Sequence, residues 1–303
     1  MQADTIDRRL FENDRLVVGE FWCPAESACW SGLNSVSAAP HVIFPHTPVT
    51  IRQLGREPVV CDRNHVLFFN PGQRFFRSLR SRDGDHSYYV ELAPELMFRL
   101  GGGLTSFPFA FGPSDPEAFL LQRLAVRHLR EPSPDPALVE EAITEAVRIA
   151  LERARGFHAR RNRGREGTRA AHREIVDQTK ELLAARFRER LTMGEIARAI
   201  GVSRFHLSRV FRSSTGFSLH GYRNQLRLRA ALERLADPSV SLPPLAAELG
   251  FSGHSHFTAA FRETFGVAPS ALRGRVGRTK LRDLLARHSA NKIVRLSAAS
   301  GAD

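Results

Sequence analysis

The 303 residues are 42% hydrophobic, which is enough for two ordinary domains, each with its own core. The net charge of +12 belongs to one half: residues 1–154 hold 16 Lys/Arg against 20 Asp/Glu, whereas residues 155–303 hold 28 against 12. A positive field concentrated in this way favours a polyanion, because neutralised phosphates release their counterions, and no apolar stretch reaches the length that spans a bilayer, which argues against a membrane protein.

Taken from the start, the chain opens with Asp4, Asp7, Arg8, Arg9, Glu12 and Asp14, which leave no room for the apolar core of a secretory signal, so a cytoplasmic protein is expected. Cys23, Cys29 and Cys61 are odd in number and lack metal-type spacing; reduced, buried thiols are expected, with a redox pair at Cys23 and Cys29 as the alternative. Short apolar runs then recur between turn residues: Val17 to Trp22, His41 to Phe44, Val49 to Leu54, Val66 to Phe69 and Ser87 to Leu92. This spacing predicts a small β-sandwich or barrel. Trp22, Phe44, Phe68 and Tyr89 are the candidates to line a mainly apolar cavity for a small-molecule effector.

Past Gly101-Gly102-Gly103 the periodicity becomes helical, over Pro116 to Leu129 and Pro136 to Ala154, with Glu131-Pro132-Ser133-Pro134 between them. The stripe Val139, Ala142, Ile143, Ala146, Val147, Ala150 and Ala154 must pack against something, either the β-domain or a second subunit. Seven arginines between Arg155 and Arg173, with almost no apolar pattern, predict a solvated linker. The expected organisation is an effector or dimerisation domain over 1–154, a basic linker over 155–170, a DNA-binding domain over 171–275 and a basic tail over 276–303, which is either one more helix or disordered.

Residues Leu191 to Gly266 contain an internal repeat. At an offset of 49, Ala197, Gly201 and Ser203 match Ala246, Gly250 and Ser252; after one added residue His206, Phe211, Arg212 and Gly216 match His256, Phe261, Arg262 and Gly266. Each copy reads as a short helix, a glycine that takes the left-handed conformation past its end, a serine cap and a second helix. In the first copy Leu207, Val210 and Phe211 face inward, while Phe205, Ser208, Arg209 and Arg212 follow i, i+3, i+4, i+7 on another face; in the second, Phe257, Ala260 and Phe261 face inward, leaving Ser255, Thr258, Ala259 and Arg262. Ser218 to Asp237 predicts one long connecting helix with arginines between its apolar positions, fixing the distance between the two readers.

The strings MGEIARAIGVSRFHLSRVFRSSTGFSLHGYRNQLRLRAALERL and LAAELGFSGHSHFTAAFRETFGVAPSALR resemble both halves of the AraC/XylS DNA-binding domain, including its Ser-x-x-His-Leu-x-Arg-x-Phe and Gly-Phe-x-Ser elements. The resemblance covers about one hundred residues and implies a two-motif reader of a bipartite site, with Phe205, Ser208 and Arg209 reading bases in the first half-site and Ser255 and His256 in the second. Arg204, Arg212, His254, Thr258 and Arg262 complete the expected DNA contacts. Ala259 departs from the family, which often has Arg there. Less specifically, HVIFPHTPVTI and DRNHVLFFNPGQRFFR are similar to the family's cupin-like effector domains, so the expected fold class is α+β, a cupin-like barrel with a helical hairpin followed by an all-α domain. His41, His46 and His65 lack the His-x-His spacing of a metal cupin, and no cofactor or metal is expected. The expected partners are double-stranded DNA, a small-molecule effector and RNA polymerase, with a homodimer left open. Three rivals stand beside this ligand-responsive regulator: an architectural DNA-binding protein without an effector, a cupin oxygenase, and an alkyl acceptor using Cys61.

Overall fold

A computed structural model describes residues 5–161 and 169–287. The N-terminal half is built on two antiparallel sheets. Six strands, β1 (Ile6–Glu12), β2 (Leu16–Cys23), β4 (His41–Pro45), β7 (His65–Phe69), β9 (Asp85–Leu92) and β10 (Phe111–Pro113), form one sheet in the order β1-β2-β9-β4-β7-β10. Four more, β3 (Asn34–Ser35), β5 (Val49–Gln53), β6 (Val59–Cys61) and β8 (Arg74–Leu79), form the other in the order β3-β8-β5-β6. Strands β4, β7 and β9 are buried on both faces, so their side chains divide by parity. Ile43, Leu67 and Phe69 face the smaller sheet, whereas Val42, Phe44, Val66, Phe68, Tyr88 and Val90 join the core under the helices.

Helix α1 (Pro94–Leu100) leads to the hairpin of α2 (Pro116–Leu129) and α3 (Pro136–Arg161). Asp115 caps α2 by accepting from the Glu117 backbone N–H, with Pro116 at the first turn. The stripe from Val139 to Ala154 is at most 1% exposed and packs within this chain, against α2 and β10. Gly112 of β10 lies so close that a Cβ there would be 2.6 Å from that of Ala154. Residues 155–161 correct the expected linker: they continue α3, because Phe157 and His158 pack against Phe111, and the His158 ring stacks on Phe109 at 5.3 Å. The expected linker residues 162–168 lie outside the described residues.

The C-terminal half comprises α4 (Arg169–Arg186), α5 (Met193–Ile200), α6 (Arg204–Thr215), α7 (Leu219–Arg234), α8 (Leu242–Glu248) and α9 (His254–Phe265), followed by a helix over 278–287. The rest of the basic tail lies outside the described residues. The cysteine reading also needs correcting: Cys23 and Cys29 are joined by a disulfide, while Cys61 is free and buried. The loop after β2 folds back because Trp30 Nε1 donates to the Pro24 carbonyl at 2.7 Å and Ser27 caps the turn at 28–30, which puts the two cysteine Cα atoms 6.8 Å apart. Among the described residues no helix is long and apolar enough to cross a membrane.

Candidate nucleic-acid interface and effector cavity

Helices α5 and α6 meet through Gly201, whose φ of 76° is the left-handed conformation the repeat calls for. Thr192 and Glu195 form a capping box on α5, and the Ser203 hydroxyl accepts from the His206 N–H at the start of α6. Leu207, Val210 and Phe211 are buried, which turns the opposite face of α6 outward. Arg204, Phe205, Ser208, Arg209 and Arg212 are all exposed, Phe205 at 78%. Among the described residues none of these three arginines forms an ion pair, so their donors are available for an incoming anion.

The second copy differs at its cap. Gly250 has φ of 78°, as expected, but α9 is capped by Gly253 without a side-chain bond. The added residue moves Ser252 one place too far back, and its hydroxyl pairs instead with His256 Nδ1 at 2.9 Å. His256 is thereby drawn toward the turn, edge-on to Phe251, and His254 Nε2 lies 3.3 Å from the Thr258 hydroxyl. His254, Ser255, Thr258, Ala259, Arg262 and Glu263 line a shallow groove along the outer face of α9. Glu263, which the repeat did not single out, adds a carboxylate to that face. The two outer faces are therefore chemically unequal: α6 carries three arginines, whereas α9 carries Arg262, Glu263 and a methyl group at its centre.

The connector α7 holds the largest departure from the sequence reading. Its arginines were expected to lie between the apolar positions, yet Arg227 and Arg229 are 4% and 0% exposed. Arg227 donates to the carbonyls of Phe187 and Glu189, in the turn that follows α4. Arg229 reaches into the N-terminal half, donating to Asn64 Oδ1 and, at 2.8 Å, to the Ser114 carbonyl, with its guanidinium over the Phe119 ring. Burial lowers the pKa of both guanidinium groups to about 10. Beside them the Tyr222 hydroxyl donates to Asp62 Oδ2 at 2.6 Å, and Asn64 Nδ2 donates to the Tyr222 carbonyl. Burial alone would raise the Asp62 pKa, but His65, Tyr222 and the Asn64 N–H outweigh it and hold it below the usual carboxylate range. Arg63 grips Glu233 of α7 with two bonds at 2.9 and 3.1 Å, and His46 Nδ1 lies 3.1 Å from the same carboxylate. At the other end Arg127 of α2 donates to the carbonyls of Leu272 and Gly274, and α2 packs against α9. The N-terminal half thus touches the connector α7 and helix α9 directly. Composition cannot distinguish a solvated arginine from a buried one, so these residues were invisible beforehand.

Between the two sheets lies a cavity of about 160 Å³. Of the four aromatic residues expected to line it, Tyr89 does. Phe44 and Phe68 occupy the other parity of β4 and β7 and pack in the helical core, Phe68 against Phe107 and Phe109. Trp22 lies on the opposite face of β2 from the lining Phe21, its Nε1 donating to the Asp83 carbonyl. Tyr89 crosses over Gly19, where a Cβ would be 2.0 Å from its ring, to donate to Asp7 Oδ1 at 2.7 Å. The histidines diverge: His41 faces Glu91 in the cavity, His46 faces Glu233 and His65 faces Asp62. Cys61 is buried and its thiol is pushed up by burial, the opposite of what an activated nucleophile needs.

A helix-turn-helix domain model matches residues 196–275, spanning both repeats. PqrA of Proteus vulgaris, described as a probable transcription factor, is 32% identical over 85 residues, 28% of this chain and 70% of its own. A solved transcriptional regulator from Chromobacterium violaceum, with an AraC-type DNA-binding domain, is 31% identical and covers 34% of this chain and 93% of its own, at a TM-score of 0.32. The chain belongs to the AraC/XylS family. The Msm operon regulatory protein of Streptococcus mutans is 30% identical over 108 residues, 36% of this chain. The match spans 39% of that relative's length, so this AraC/XylS member covers less than half of it.

Proposed function

We propose that this AraC/XylS member is a sequence-specific transcription regulator that reads a bipartite DNA site with α6 and α9 and answers to a small molecule held in the barrel. The observation that carries the reading is the exposed outer face of α6, with Arg204, Arg209 and Arg212 free of ion pairs among the described residues, in the half of the chain that holds the positive charge. Residues at the N-terminal end of a recognition helix meet base edges, while Arg212 and Arg262, further along, suit backbone phosphates. The outer faces of both readers stay exposed with the sensor docked, so DNA can be engaged in this arrangement.

The cavity and the buried contacts to α7 support the sensor role. A ligand that shifts β7 moves residues next to Asp62 and Asn64, and through Tyr222 and Arg229 it changes the seating of the helix between the readers. RNA polymerase remains the expected further partner of such a regulator. Titration of labelled duplex DNA with the full chain, at a series of salt concentrations, tests the DNA reading. Log affinity should fall linearly with log salt, with a slope of about 0.9 per phosphate neutralised. A flat plot contradicts it.

A further inference from the structure

The Cys23–Cys29 disulfide joins a fixed point to a loop. Cys23 is fully buried at the end of β2, in register with Asp85 of β9, and Gly84 packs so close that a Cβ there would lie 2.2 Å from the Cys23 carbonyl oxygen. Cys29 is half-buried in the turn at 28–30. Apart from a hydroxyl pair between Ser27 and Thr5 at 3.0 Å, the side-chain hydrogen bonds of this loop are internal. Trp30 Nε1 donates to the Pro24 carbonyl, and Asn34 Nδ2 to the carbonyls of Cys29 and Gly32. The strand that follows, β3, has two residues, paired with Phe75 and Arg74 of β8.

This segment is the rim of the cavity between the sheets. Ser35, Val36 and Ser37 line the cavity, and Trp30 and Val36 pack against the apolar cluster of Val49, Ile51, Phe69 and Phe75 that forms its floor. The disulfide is the covalent tie between that rim and the larger sheet. A cross-link with a sequence separation of 6 removes little entropy from the unfolded chain, and a chain of 303 residues with two apolar cores does not need one to fold. Where DNA is read, glutathione and thioredoxin keep thiols reduced, and the disulfides that form there are transient. In this respect the inference rests on the DNA-binding reading. Cys29, the more accessible of the pair, is the point at which an incoming thiolate can attack.

We propose that Cys23 and Cys29 form a reversible thiol switch, which holds the cavity rim closed as the disulfide and releases it as the dithiol. A glutathione thiolate attacks Cys29 Sγ, the S–S bond breaks, and Cys23 leaves and takes up a proton. A second glutathione thiolate removes the first as glutathione disulfide, and the Cys29 thiolate released is protonated in turn. Two electrons thus pass from two glutathione thiols to the pair, and glutathione disulfide reverses both steps.

The full chain, equilibrated in glutathione buffers of varied redox ratio, is tested by alkylating free thiols, counting them by mass spectrometry and following amide hydrogen exchange in the same samples. Cys23 and Cys29 should be reduced together under excess glutathione and should rejoin in glutathione disulfide. Reduction should speed exchange over residues 28–37 about tenfold while β4, β7 and β9 stay protected. C29S cannot close the bond and should exchange like the reduced chain at every ratio. A pair that stays oxidised under excess glutathione, or a rim equally protected in both states, overturns the proposal. Exchange that rises across both sheets also overturns it, because it marks a cross-link that holds the fold. Duplex titration of the same samples keeps the two readings apart: no DNA binding in either state ends the DNA reading, while the thiol and exchange results decide the switch.

Discussion

Gly201 and Gly250 occupy equivalent turns with nearly equal φ, yet their surroundings differ. A Cβ on Gly201 enters open space, whereas one on Gly250 would lie 2.1 Å from the Arg188 carbonyl oxygen and 2.6 Å from Arg227 Nη2. The left-handed conformation alone costs an ordinary residue roughly 1–2 kcal/mol. Gly201→Ala should therefore lose about that much, and Gly250→Ala clearly more, in urea unfolding midpoints. Equal losses would mean that the packing of Arg188 and Arg227 around the second turn is not as described. At the readers, Arg209 can bind guanine O6 and N7 together, worth about 1–3 kcal/mol against a wrong base, while Ala259 can offer only a methyl contact. Arg209→Ala should abolish selectivity at one or two base positions, and Ala259→Arg should add a guanine preference in the second half-site, both read by comparing binding to single-base variants of the site.

Glu20 on β2 shows what one side chain does for its elements. It accepts from Arg8 of β1 at 2.5 Å, from the Tyr88 hydroxyl of β9 at 2.9 Å and from Arg130 at the end of α2 at 2.8 Å, with His86 Nε2 3.1 Å away. Burial would raise its pKa, but these partners bring it down from 4.5 to about 2. Because the folded pKa is depressed, the stabilisation is complete above the unfolded value of about 4.5 and disappears as pH falls toward 2. Glu20→Gln should cost stability at neutral pH and flatten the acid limb, so the difference from the wild type shrinks as pH falls from about 4.5 to 2. An unchanged acid limb contradicts this. Strands that alternate or bury a continuous apolar run, such as β2, β4, β5, β7 and β9, were legible in the sequence. Strands β1, IDRRLFE, and β8, RFFRSL, were not, because arginines hide the period in both and β1 is an exposed edge as well. The aromatic lining failed for a related reason: a strand buried on both faces gives no sign of which parity meets the cavity. The turn glycines and the inner face of each reader were legible because helical spacing and the repeat agreed on them.

Across the whole molecule, the two halves are joined by polar groups that composition does not reveal. Tyr222, Asn64, Asp62 and Arg229 form a buried network in which removing one donor leaves an acceptor without a partner, at about 1–3 kcal/mol. Tyr222→Phe should lower stability by that amount in urea unfolding and weaken the change in DNA affinity that an effector produces, while effector binding itself is kept. An effector response of full size in that variant would mean that coupling runs elsewhere. The central claim, two readers of unequal stringency held at a fixed spacing by α7, is tested most directly by selecting binding sites for the full chain from randomised duplex DNA. Two half-sites about 10 base pairs apart are expected, one sharply defined, with a guanine opposite Arg209, and one softer. No enriched sequence, or two half-sites defined with equal sharpness, would contradict it.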